Sequence, residues 1–195
     1  KKMLPDAETF AYVGNTRTIE EKLLHSELDI AIVEGDIRNP DLISLSCIRD
    51  YLVLGCSREH PLARKEILHI PELNHQSFVM REKGSGTRAL FDRFIERHHL
   101  DIHTAWEATC PETFRSAILD NECLAVISVR LLERDIRDGQ IRIYNVNTDE
   151  FERSFSLVRH KDKVPTISMD TIRDIVNRYQ QPDWLAKIPV GTLVK

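Results

Sequence analysis

The sequence is most informative first through what it lacks. No apolar run approaches the ~18 residues that a helix needs to cross a bilayer. Its opening stretch, Lys1-Lys2-Met3-Leu4-Pro5-Asp6, has no apolar segment behind the lysines and so carries no export signal. It has no initiator methionine either, and reads as the tail of a helix within something longer. Charge of one sign is missing too. The 27 Lys+Arg are outnumbered by 31 Asp+Glu, both signs are scattered, and the formal net charge is −4. Nucleic-acid binding draws most of its affinity from clustered cations on phosphates, so this chain is not expected to grip DNA by itself. The four cysteines, Cys47, Cys56, Cys110 and Cys123, form no C-x-x-C pair. That argues against zinc and fits reduced thiols in a cytoplasm. There is no fixed-period repeat and no low-complexity tract.

What is present is the balance of a folded soluble protein, 42% hydrophobic and 30% charged over 195 residues, enough for one large domain or two small lobes. Short β-type runs alternate with helical patterns, the mark of an α/β fold with largely parallel sheets. Strands are predicted at Thr9–Val13, Leu28–Val33 (closed by Glu34-Gly35), Ile43–Cys47, Tyr51–Cys56, Ser77–Arg81, Thr104–Thr109, Leu124–Val129, Ile141–Val146 and Phe155–Arg159. Helices are predicted after Thr16 as N-cap, with Ile19, Leu23 and Leu24 inward, over Thr87–His98, from Cys110-Pro111, and over Leu131–Arg137 with Gly139 at C′. A last helix is predicted after Ser168, with Ile172, Ile175, Val176 and Tyr179 on its apolar face. The chain crosses between lobes near His60-Pro61 and again near residue 157. This places residues 1–55 and 157–195 in lobe I and residues 56–156 in lobe II.

Three strand-to-helix junctions could hold a ligand. The sharpest is Arg81-Glu82-Lys83-Gly84-Ser85-Gly86-Thr87-Arg88. Unpaired N–H groups at a helix start, with Ser and Thr hydroxyls beside them, are ready donors for a carboxylate, sulfate or phosphate. The competing reading makes Ser85 a simple helix cap. The stretch lacks the lysine of a P-loop, the spacing of a nucleophile elbow and a dinucleotide fingerprint. The second junction is Thr109-Cys110-Pro111-Glu112-Thr113. A helix start lowers a thiol pKa, but no histidine is placed by sequence to serve Cys110 as a base. The third is Gly14-Asn15-Thr16, ligand contact or plain N-cap. His98, His99 and His103 straddle a helix end and read as solvated rather than as metal ligands. Asp29 and Glu34 have no acid–base geometry.

With these segments in order, the chain closely resembles the effector-binding domain of LysR-type transcriptional regulators. The carrying stretches are Val13-Gly14-Asn15-Thr16 followed by Ile19-Glu20-Glu21-Lys22-Leu23-Leu24, and Glu27-Leu28-Asp29-Ile30-Ala31-Ile32-Val33-Glu34-Gly35. Asp50-Tyr51-Leu52-Val53-Leu54 leading to His60-Pro61-Leu62-Ala63, Arg81-Glu82 with Gly84-Ser85-Gly86-Thr87-Arg88, and Leu124-Ala125-Val126-Ile127-Ser128 complete the set. The resemblance extends to about residue 180. It implies two Rossmann-like lobes of the type II periplasmic-binding-protein kind, with a small effector, a carboxylate or other anion, in the cleft between them. Asn15 and Thr16 would face the effector from lobe I. Ser85, Gly86 and Thr87 would face it from lobe II, and Thr109, Cys110, Pro111 and Ser128 would line its floor. The family's first strand and helix are absent from this sequence, as is its DNA-binding segment. The resemblance thus implies a cytoplasmic, non-catalytic sensor that uses no cofactor or metal, touches no membrane, and reaches DNA only through a domain not included here. It would be a homodimer, and a tetramer at full length. A solute-binding protein of the same fold, or an enzyme on that fold, are the competing readings.

Overall fold

In a computed structural model, which describes residues 2–34, 37–146, 149–179 and 190–195, the alternation becomes five helices and nine strands among the described residues. They form two compact units, residues 2–49 with 153–179 and residues 50–152 with 190–195.

The first unit contains helix α1 (Thr16–Leu24), strand β1 (Ala31–Glu34), the first half of strand β2 (Leu42–Ser57), most of strand β8 (Glu152–His160) and helix α5 (Ile167–Asn177). β8 pairs with both β1 and β2. Ile19 and Leu23, one turn apart on α1, pack with Val33, Leu42 and Val158 as its core. The predicted strand at Thr9–Val13 is not formed. No strand pairs with it among the described residues, and an extended segment with no ladder partner cannot satisfy its backbone groups within a sheet. Phe10 and Val13 are consequently 80% and 94% exposed. The cap of α1 is Asn15, not Thr16: its carboxamide oxygen accepts from the Thr18 backbone N–H at 3.0 Å and from the Thr18 hydroxyl at 3.0 Å. At the other end Thr166, not Ser168, caps α5 by accepting from Met169 N–H. Met169 and Val176 are buried while Ile172, Ile175 and Tyr179 stay exposed, so the apolar stripe read for that helix is only partly inward. The predicted strand end at Gly35 lies outside the described residues.

The second unit is built on a sheet in the order β3 (Ile67–His69), β9 (Gly191–Val194), β7 (Ile141–Val146), β2, β6 (Leu124–Ser128), β4 (Ser77–Arg81) and β5 (His103–Ala108). The sheet is mixed rather than largely parallel. β4 runs parallel to β5 and β6, and β9 parallel to β3 and β7, but β2 is antiparallel to β6 and to β7. The two segments predicted at 43–47 and 51–56 are one continuous strand of sixteen residues. Its later part alternates between two cores, as a strand buried on both faces must. Leu52, Leu54 and Cys56 point to the face covered by helix α2 (Gly86–Arg97) through Leu90, Phe91 and Phe94. Val53 points to the face covered by helix α3 (Pro111–Asp120) through Phe114, Ala117 and Ile118. Leu131–Arg137 splits into a 3₁₀ turn at Val129–Leu131 and helix α4 (Glu133–Arg137), with Gly139 beyond it at φ +69°, where glycine is favoured.

Strand β9 has no counterpart in the sequence reading, which carries residues 157–195 with lobe I. Residues 190–195 instead join the second unit, where Leu193 is buried and Gly191 lies against the Tyr144 ring.

Candidate functional site

Because β4, β5 and β6 run parallel, their carboxyl ends share one edge of the second unit. In open α/β sheets the segments leaving that edge bind ligands. Here they are residues 82–85 after β4, 109–110 after β5 and 129–132 after β6. Ser85, Gly86, Thr87, Thr109, Cys110, Pro111 and Ser128 therefore gather on one edge of one unit. Asn15 and Thr16 belong to the first unit. The Thr16 hydroxyl donates to the Glu34 carbonyl at 2.9 Å, and Asn15 is engaged as a cap.

Ser85 carries the most telling geometry. It occupies the N-cap position of α2, with extended backbone, yet its side chain makes no capping hydrogen bond. The residue is 1% exposed, and its Oγ has no hydrogen-bond partner among the described residues. The cap reading is therefore not what the structure shows. A buried hydroxyl without a partner costs about 1–3 kcal/mol and calls for an explanation. The turn before it depends on Gly84, at φ +96°, and closes with the Ser85 N–H on the Glu82 carbonyl at 3.2 Å. The first α2 residue whose N–H returns into the helix is Ala89, onto Ser85 O at 3.0 Å, so the preceding turn points its N–H groups out of the helix start. Twelve residues of aligned peptide dipole add partial positive charge there. Arg88 braces the same edge: its guanidinium donates to the Arg81 carbonyl at 3.0 Å and pairs with Asp92 at 2.7 Å and Glu107 at 3.3 Å.

Ser128 is differently employed. Its hydroxyl donates to the buried Asp50 carboxylate at 2.8 Å and accepts from the Arg130 N–H at 3.3 Å, while the Arg130 side chain approaches Asp50 at 3.3 Å. Asp50 precedes Leu52, which stands opposite Ser128 in the β2–β6 ladder, so the triad ties the middle of β2 to the end of β6. Sequence reading missed Asp50 and Arg130. The available signal was an aspartate heading an otherwise apolar strand.

Cys110 is exposed at the start of α3, behind Pro111 in the first turn. Its Sγ lies 2.9 Å from the Thr113 hydroxyl, and that hydrogen bond holds the thiol below its ordinary pKa. Cys56 is buried, and desolvation pushes its pKa to about 12. Alkylation by iodoacetamide at pH 8 should accordingly modify Cys110 first, and Thr113→Val should slow it. If mass mapping found Cys56 or Cys123 modified before Cys110, this assignment would fail. The neighbouring Glu112 carboxylate acts the other way and favours the neutral thiol. Asp29 pairs with Lys163 and Glu34 with Arg153, so neither is poised for proton transfer. His98 is not solvated: it packs on Phe94 and lies 3.2 Å from both Glu150 oxygens. Among the described residues no group of His, Cys, Asp and Glu could hold a metal ion, and no helix is long and apolar enough to cross a membrane.

Comparison with known proteins places this edge in context. The LysR substrate binding domain family matches residues 2–181, and the chain belongs to that family. Its fold is that of LysR regulatory domains, the type II periplasmic-binding-protein-like fold. Similar curated proteins are transcriptional regulators. The chain is 25% identical to the HTH-type transcriptional regulator CysL of Bacillus subtilis over 81% of its length and 53% of that protein's. It is 22% identical to the HTH-type transcriptional activator CmpR of Synechocystis over 96% of its length and 62% of that protein's. It thus spans a little over half the length of these relatives. Among solved structures it resembles the Synechocystis CcmR regulatory domain in complex with 2-PG, with 28% identity, a TM-score of 0.81, and coverage of 90% of this chain and 85% of that one.

Proposed function

We propose that this chain is the effector-sensing part of a LysR-type transcriptional regulator, and that its effector is a small anion anchored where β4 gives way to α2. The observation that carries the reading is the buried, unpartnered Ser85 hydroxyl beside the N–H groups of the first turn of α2. Together they offer convergent donors and partial positive charge to a phosphate, sulfate or carboxylate. Thr87 would add its hydroxyl, and Thr109, Cys110 and Pro111 would flank the ligand from the next strand end. Ser128, held by Asp50, would shape the edge more than donate to the ligand. The 2-PG bound to the CcmR domain supports an anionic ligand.

The protein performs no catalysis in this reading. Its exposed thiol, Cys110, hydrogen-bonds the Thr113 hydroxyl, and the adjacent Glu112 carboxylate favours its neutral form. The regulator works in the cytoplasm and reaches DNA through a domain outside this chain. It is a homodimer, and a tetramer at full length; exposed Phe10, Val13 and Trp106 supply apolar surface for such contacts. Sedimentation velocity on this chain tests the association, and a strict monomer at roughly 100 μM, where even weak self-association shows, would count against it. The ligand itself is tested by melting the protein with 2-phosphoglycolate, inorganic phosphate, sulfate and neutral polyols. A ligand that binds only the native state raises Tm. The anions should raise it and the polyols should not. A shift from polyols alone would overturn the anionic assignment.

A further inference from the structure

A cavity of about 460 Å³ lies in the second unit and is lined by Leu90, Arg93, Phe94, Arg97, Glu150, Glu152 and Lys195. Its size falls within the range of small-molecule sites. Arg93 and Arg97 stand one turn apart on α2, so both face it from the same wall. The two are not equivalent. Arg97 donates to Glu150 at 2.8 Å, and that carboxylate also meets His98, so Arg97 is neutralised and held as part of the wall. Arg93 has no ion-pair partner among the described residues, and Leu90 and Phe94, beside the arginines on α2, supply an apolar floor. With Arg97 answered by Glu150, Arg93 is the cation that the cavity offers to a single negative group. Lys195, beyond residues 2–181, contributes a wall that the family match does not include.

We propose that this cavity is a second ligand site, for a monocarboxylate with a short apolar body. The carboxylate sits on the planar fork of Arg93, and the apolar body lies over Leu90 and Phe94. The site is distinct from the anion site at the start of α2, since Arg93 lies seven residues beyond Gly86, about 10 Å of helix rise. Both sites share one rigid helix, so occupancy of either is felt by the same element.

The test uses hexanoate as probe and hexylamine, of like length and opposite charge, as its counterpart. Backbone amide NMR titration of this chain with hexanoate should give saturable shifts at Leu90–Arg97 and at Lys195, and hexylamine should give none there. Arg93→Gln should weaken hexanoate binding about tenfold, as loss of a forked charged contact at a half-open site implies, with Tm unchanged. Equal affinity in Arg93→Gln, matching shifts from hexylamine, shifts confined to Ser85–Thr87, or no saturation would each overturn the proposal. Shifts confined to Ser85–Thr87 would still leave the effector-site reading standing.

Discussion

Replacing Ser85 by alanine should stabilise the unliganded protein while weakening its hold on an anionic effector about ten- to a hundredfold, the two effects having opposite sign. The stability effect follows from the orphaned hydroxyl. In the free protein Ser85 Oγ is shut away from water and unpaired, so removing it lifts a desolvation penalty on the order of 1 kcal/mol and raises Tm by roughly 2–4 °C. The binding effect follows from the same atom acquiring a partner. A hydrogen bond to a charged ligand group contributes about 1.5–3 kcal/mol, which the alanine variant forgoes. A capping serine would behave in the reverse way, costing about 1 kcal/mol of stability when removed and leaving affinity alone. Calorimetric titration with 2-phosphoglycolate, alongside a melting curve of each protein, separates the two roles. A lower Tm with unchanged affinity would return Ser85 to the status of a cap.

The second large effect is expected at Gly191. A Cβ there would lie 2.5 Å from two ring carbons of Tyr144 and 3.1 Å from the Glu66 carbonyl. The ring cannot swing clear. It is fully buried, and its hydroxyl donates to the carbonyls of Leu62 and Lys65. Gly191→Ala should therefore displace β9 or distort β7, at a cost on the order of 3 kcal/mol, a fall in Tm of roughly 6–12 °C. Pairing it with Tyr144→Leu, which removes the obstructing ring, should recover part of the loss. Equal Tm for Gly191→Ala and the parent would show that β9 is not seated against Tyr144.

Much of this architecture could be read from periodicity. Leu52 to Cys56, Phe78 to Met80 and Leu124 to Ile127 are short apolar runs between turn residues, and each became a strand buried on both faces. Pro111 and Gly139 marked helix ends because their backbone preferences are local. What failed to show depends on partners distant in sequence. Thr9–Val13 has strand composition but no pairing neighbour among the described residues, and nothing within those five residues could reveal that. β9 is only four residues long, too short for a periodic signal, and owes its existence to β3 and β7. The glycine turn before α2 was legible as a site from Gly84, Ser85 and Gly86 alone. Whether Ser85 caps the helix or stands free was not, because that depends on a side-chain rotamer set by packing. Asp50 was passed over for a similar reason: its partners, Ser128 and Arg130, lie far along the chain.

Among the described residues strand β3 pairs only with β9, Ile67 against Thr192 and Leu68 against Leu193. During synthesis the chain is made from its N-terminus, so β3 emerges long before the strand that seats it. Closing such a distant contact is slow, because the intervening chain must be ordered before the pairing rewards it. Until residue 194 has left the ribosome, the segment from Pro61 to Leu73 has apolar side chains to bury and no ladder to join. The second unit is therefore expected to complete its sheet only once residues 191–194 have been made and have folded back, with its aggregation-prone interval running until then.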